Sequence, residues 1–179
     1  MKHKIYLIAF LMIGVFATSC SSDDDLDHQN DFKKSQKAWS EFKEVSENSY
    51  TYKVVASSWT GVSWETNIAV VRGKVVQRHF KYTSTEGMSD IPQEALEWTE
   101  NEAEIGTHKN QGAEALTLDE IYNKAETEWL IKRKNGKAYF ESKNNGLISS
   151  CGYVVNGCMD DCFVGIRIES IGVLKDYCC

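Results

Sequence analysis

The sequence predicts an α+β fold: an antiparallel β-sheet of about six strands, arranged as a meander plus hairpins, with two main helices packed on one face. Three observations predict it. Two stretches carry apolar residues at helical spacing, several segments alternate with period two between glycine turns, and the order helix, three strands, helix, strands runs along one chain.

The first helix starts near Asn30, with Phe32, Trp39, Phe42 and Val45 recurring near one face and Lys33, Lys34, Lys37, Glu41 and Glu44 elsewhere. Asn48-Ser49 breaks that pattern, and residues 50–56 alternate as a half-buried strand does. Thr60-Gly61 and Gly73-Lys74 are turn signals that set off two further strands, 62–72 and 75–82, giving an antiparallel meander. Residues 84–113 are poorer in pattern, with Pro92, Gly106 and Gly112 as punctuation and a short helix expected around 93–98. Thr117 stands three residues before Glu120, the spacing at which both side chains accept exposed amides at a helix start. Leu118, Ile121, Tyr122, Ala125 and Trp129 then form one apolar stripe, with the sheet as its partner. Asn135-Gly136 predicts a tight hairpin between 130–134 and 137–141. A second hairpin pairs 147–155 with 162–171, where Val164, Ile166 and Ile168 point one way and Arg167 and Glu169 the other.

A chain of 179 residues, 42% hydrophobic and 26% charged, suffices for one domain with a real core. One proline and twelve glycines exclude a collagen-like or wholly disordered chain. A net charge of −6 and a pI near 5.3 argue against nucleic acid as a partner.

Residues 1–20 read as Lys2 and Lys4, an apolar run over 5–17, then Thr18, Ser19 and Cys20, the layout of a secretory signal peptide. Thirteen apolar residues make a helix of about 20 Å, short of a hydrocarbon core of roughly 30 Å, so cleavage is expected rather than a permanent span. Ala17-Thr18-Ser19-Cys20 resembles the lipobox of bacterial lipoproteins, although Ala17 stands where leucine is common and Ser19 where glycine or alanine is. The resemblance implies a diacylglycerol on Cys20, which becomes the new N-terminus. Ser21-Ser22-Asp23-Asp24-Asp25 and the acids after it read as a solvated tether, and are similar to the export signal of Bacteroidota-type surface lipoproteins. That implies an outer-membrane location facing the cell exterior. The expected division is a signal peptide over 1–19, a lipidated cysteine and acidic tether over 20–31, and one domain over 32–179. Loss of the leader removes two lysines and makes the chain still more acidic, so attachment to the membrane is expected through acyl chains and not through a basic face. The aspartate run lacks the glycine and distal glutamate of a calcium loop.

The body of the chain resembles a family of small secreted bacterial lipoproteins classed as a domain of unknown function. The likeness rests on Trp39, Tyr50-Thr51-Tyr52, Arg72-Gly73-Lys74-Val75-Val76, Leu118-Asp119-Glu120-Ile121-Tyr122 and Gly165-Ile166-Arg167-Ile168. It brings no catalytic residues.

Beyond Cys20, the cysteines are Cys151, Cys158, Cys162, Cys178 and Cys179. An exported chain meets an oxidising compartment, so disulfides are the default reading. Five thiols allow two bridges and one left over. One bridge is expected to close or flank the loop at Met159-Asp160-Asp161, through Cys158 and either Cys162 or Cys151, and the other to pin the C-terminal tail. The spacings suit neither zinc nor a C-x-x-C redox centre.

The histidines are His3, His28, His79 and His108, and no nucleophile motif, zinc motif or phosphate-binding glycine loop accompanies them. No catalytic residue, metal or cofactor is expected. Trp59 and Trp64 flank a tight turn and are candidate binding residues for a protein or glycan, with a cross-strand aromatic pair or plain core packing as the alternative. Asp160 and Asp161 form a second candidate edge. The leading expectation is a non-catalytic, lipid-anchored binding module. A structural or assembly subunit of an envelope complex comes second and would carry a large apolar patch on the wet sheet face. A hydrolase with an unrecognised site is third.

Overall fold

The computed structural model describes residues 26–174. Cys20, expected to be lipidated, the expected tether up to Asp25, and Cys178 and Cys179 lie outside the described residues. The fold is α+β. One antiparallel sheet of seven strands, not six, runs in the order β4-β3-β2-β1-β7-β6-β5. Strands β1 (Tyr50–Ser57), β2 (Val62–Val71), β3 (Lys74–Thr85) and β4 (Glu97–Asn101) form one meander. Strands β5 (Gly136–Glu141), β6 (Ser150–Val155) and β7 (Val164–Val173) form another. The two join where β7 pairs with β1.

Helix α1 (Gln29–Val45) and helix α3 (Leu118–Lys124), continued by a wider turn over Ala125–Trp129, cover one face. The predicted cap is present: Thr117 Oγ1 accepts the Glu120 N–H at 3.3 Å, and Glu120 Oε2 accepts the Thr117 N–H at 2.7 Å. Apolar residues on that face have nowhere dry to go except against the strands. Phe32 and Trp39 therefore meet Tyr50, Tyr52, Leu118, Ile121 and Tyr122 in one buried core. Trp39 stacks on Tyr122 at 6.1 Å and meets Tyr50 edge-on at 5.3 Å. The core's polar atoms are satisfied internally: Tyr50 accepts the Leu118 N–H at 2.7 Å and Tyr122 shares a 2.7 Å bond with Ser35. Ordered packing extends back to Leu26, which bridges to Ile131 and touches the core, so α1 begins at Gln29, inside the expected tether.

Two expectations are corrected. Residues 130–134 form no strand, because Arg133 folds back onto the preceding helix end and donates to the Trp129, Ile131 and Glu128 carbonyls. Asn135-Gly136 therefore opens β5, whose partner is β6, with Gly136 opposite Val155. Trp98 does not end a helix: α2 covers only Gln93–Leu96, and Trp98 sits in β4 opposite Phe80, stacked on its ring at 5.2 Å. Cross-strand aromatic packing outweighs the helix propensity of the residues before it.

Residues 102–113 wrap back over β3 and β4 around Glu100. This buried carboxylate accepts the Gly106 N–H at 2.8 Å, the His108 N–H at 2.6 Å and the Thr107 hydroxyl at 3.1 Å, and it faces Arg78 Nε at 3.3 Å. The Nε lies off line for a hydrogen bond, so that contact is one of charge, while Arg78 Nη2 donates to the His108 carbonyl at 2.7 Å.

Candidate functional site

The outer face of the sheet carries the alternate residues. Lys53 reaches Glu65 at 3.1 Å and Glu169 at 3.4 Å, and Glu97 pairs with His79 at 3.0 Å and Lys81 at 3.6 Å. Hydrogen bonding to Glu65 raises the Lys53 pKa against the cost of burial, and the His79 bond lowers that of Glu97. This face is wet, as the alternation predicts.

A groove crosses it. Pairing of β1 with β7 stops at Val54 and Ile168 after a bulge, and β1 runs on to Ser57 with β2 alone. Two clefts of about 820 and 730 Å³ open there. They share Val55, Val154, Phe163, Arg167 and Glu169, and so meet along one rib. Each falls in the size range of small-ligand sites.

The rib exists because of two glycines. Gly152 faces Gly165 across β6 and β7, and a Cβ on Gly152 would stand 2.6 Å from the Phe163 ring. With no side chain there, Phe163 lies down on the sheet, and the Arg167 guanidinium sits 4.1 Å from its centroid. On β5 the same pairing recurs, with Lys137 5.1 Å from the Tyr139 ring, itself 41% exposed.

The first cleft is roofed by the loop between β6 and β7. Cys158 and Cys162 are joined in a disulfide that closes this loop, one of the pairings the sequence allowed. Among the described residues Cys151 is free and buried, and burial pushes its thiol up to about 12. Asp161, in a left-handed conformation, accepts the Ser58 hydroxyl at 2.7 Å. The loop is thereby tied to the turn between β1 and β2. The two candidate edges expected from sequence, the Trp59 turn and the Asp160-Asp161 loop, thus belong to one end of the molecule. The two tryptophans do not act together. Trp59 stands 73% exposed at the turn, whereas Trp64 packs against the core and tilts onto Phe80 at 6.0 Å, because it occupies the inner face of β2. Asp160 and Asp161 both line the first cleft.

Sequence reasoning missed Lys137, Tyr139, Phe163 and Arg167. The available signal was Gly152 and Gly165 inside alternating strands, a mark of close approach by another group. Among the described residues no group of three or more His, Cys, Asp or Glu side chains is placed to hold a metal. No described helix is long and apolar enough to cross a membrane.

No family model matches the chain, and neither a curated protein nor a solved structure does.

Proposed function

We propose that this chain is an outer-membrane lipoprotein anchored through Cys20, whose domain binds an extended ligand non-catalytically in the groove on the open sheet face. The carrying observation is the pair of clefts that meet at Phe163 and Arg167 under a disulfide-closed loop. The environment of Glu65 and Glu169 supports a binding role over a hydrolytic one, since both contact Lys53, whose charge favours their ionised forms. A general acid needs the opposite environment, one that keeps a proton on the carboxyl.

A second reading, an assembly subunit of an envelope complex, draws on the exposure of Trp59 and Met159, 73% and 90%, at the same end. It places the contact at the loop tips and not in the groove.

The test is retention of the full chain, purified in detergent, on an envelope fraction from the producing cells. Val154→Trp, which fills the floor common to both clefts, is expected to abolish retention, and Trp59→Ala to preserve it, with unchanged circular dichroism for both. The reverse pattern supports the assembly reading. Retention by Val154→Trp overturns the groove. Intact mass of the membrane-extracted protein tests the anchor: a leader still attached, or an unacylated Cys20, overturns it.

A further inference from the structure

We propose that the half of the groove lined by Lys137, Tyr139, Phe163 and Arg167 takes an oligosaccharide that carries carboxylate groups. The inference rests on the groove reading and names its ligand class. It starts from charge. The chain has 26 acids against 20 lysines and arginines, so a cation on its surface meets a carboxylate easily. On this face Lys53, Lys81 and Lys143 each do so. Among the described residues, Arg167 and Lys137 pair with none, and each is laid against an aromatic ring instead. Their charges are open to an anion from outside, with no internal acid to displace.

The geometry selects the kind of anion. Phe163 backs the guanidinium, and the planar donor fork of an arginine suits the planar oxygens of a carboxylate. Arg167 lies opposite Ser150 on β6, which lies opposite Glu141 on β5, and Lys137 is four residues back along β5. Their Cα atoms are therefore offset by about 10 Å across the strands and about 13 Å along them, and each side chain leans along its strand onto the ring that it covers. Between them Phe163 covers Gly152, and the half-exposed Tyr139 ring stands beside it, opposite Gly152 on β5. A pyranose can lie on that face and bury its C–H groups against the ring. Ser149 and Ser150 line the same cleft and supply hydroxyl partners for a polyol. Ring face, hydroxyls and two cations free of an internal carboxylate are together the complement of an acidic sugar chain.

The test titrates the full chain in detergent, by calorimetry, with oligomers of polygalacturonate, alginate and hyaluronan. Each is run beside its carbodiimide-reduced neutral form, and poly-L-glutamate is the acidic peptide control. At least one carboxylated oligomer is expected to bind, with its reduced form about tenfold weaker or more. Arg167→Gln is expected to weaken it at least about tenfold and Lys137→Gln about threefold, with the thermal transition of both variants unchanged. Tyr139→Ala is expected to weaken it without altering the salt dependence that the two cations set. Failure of all three oligomers at millimolar concentration overturns the inference, as does equal binding of the reduced forms or no effect of Arg167→Gln. Binding of poly-L-glutamate as tightly as the best sugar replaces the glycan by an acidic peptide. If envelope retention is still lost in Val154→Trp while every oligomer fails, the groove reading stands and the acidic sugar does not.

Discussion

Ser58 donates its hydroxyl to Asp161 across 103 residues of sequence, and this 2.7 Å bond ties the turn between β1 and β2 to the disulfide loop that roofs the groove. The bond is exposed, so its net contribution is small, below about 1 kcal/mol. Its effect is on order. Asp161→Ala is expected to leave the unfolding midpoint nearly unchanged while amide exchange over 158–163 accelerates. Replacing Cys158 and Cys162 by serine removes the covalent constraint as well. For a loop of about five residues the chain-entropy account gives a loss of about 2 kcal/mol. Denaturant titration separates the two: a loss in Asp161→Ala as large as in the double cysteine variant contradicts the assignment of the covalent bond as the main constraint.

Glu100 makes acid stability predictable in sign. Burial pushes its carboxyl up, but the N–H groups of His108 and Gly106, the His108 ring and the Arg78 charge outweigh burial and hold it below the usual carboxylate range. A depressed folded-state pKa means that the stabilisation is full above the unfolded value of about 4.3 and is lost as pH falls through the folded one. Stability should therefore decline only below about pH 4 from this group. Glu100→Gln leaves Arg78 buried without its counter-charge and should cost about 3–5 kcal/mol at neutral pH, with a shallower slope in acid. Urea titrations at a series of pH values check both; an unchanged slope contradicts the role given to Glu100.

Cys151 lies fully buried on β6, and a thiol pushed up to about 12 offers almost no thiolate at neutral pH. Iodoacetamide at pH 8 is expected to leave Cys151 unmodified in the native protein and to label it fully in denaturant. Peptide mapping reads the result, and labelling of Cys151 under native conditions at the denatured rate contradicts its burial.

These residues also show which parts of the molecule could be read before the fold was seen. Local signals succeeded: Thr117 and Glu120 cap α3 as their spacing requires, and the 50–56 alternation buries Tyr50, Tyr52 and Val54. Signals that depend on distant partners failed. Asn135-Gly136 has good turn chemistry, but the residues before it are held by Arg133 against the end of a helix. Trp98 became a strand residue because Phe80, eighteen positions earlier, offered a ring to stack on. Of the groove, the sequence exposed the loop with Asp160 and Asp161, while Arg167 and Phe163 became a site only through two glycines that meet across strands.

Those glycines carry the last prediction. Gly165 adopts φ of +153°, and a Cβ there would stand 2.1 Å from the Cys151 carbonyl oxygen and 2.4 Å from the Gly152 Cα. Both obstacles are backbone, so no rotamer change relieves them, and β6 and β7 must separate to admit a methyl group. On Gly152 a Cβ meets the Val164 carbonyl at 2.4 Å and the Phe163 ring at 2.6 Å. There part of the strain can leave through the side chain, by lifting Phe163 off the sheet. Gly165→Ala is therefore expected to be the more destabilising, by more than about 3 kcal/mol. Gly152→Ala in a Phe163→Ala background removes the ring contact and should cost less than the sum of the two single changes, because the neighbouring sites share one clash. A double-mutant cycle in urea measures this coupling. Strict additivity would mean that Phe163 does not rest on Gly152, and the rib between the two clefts would lose its basis.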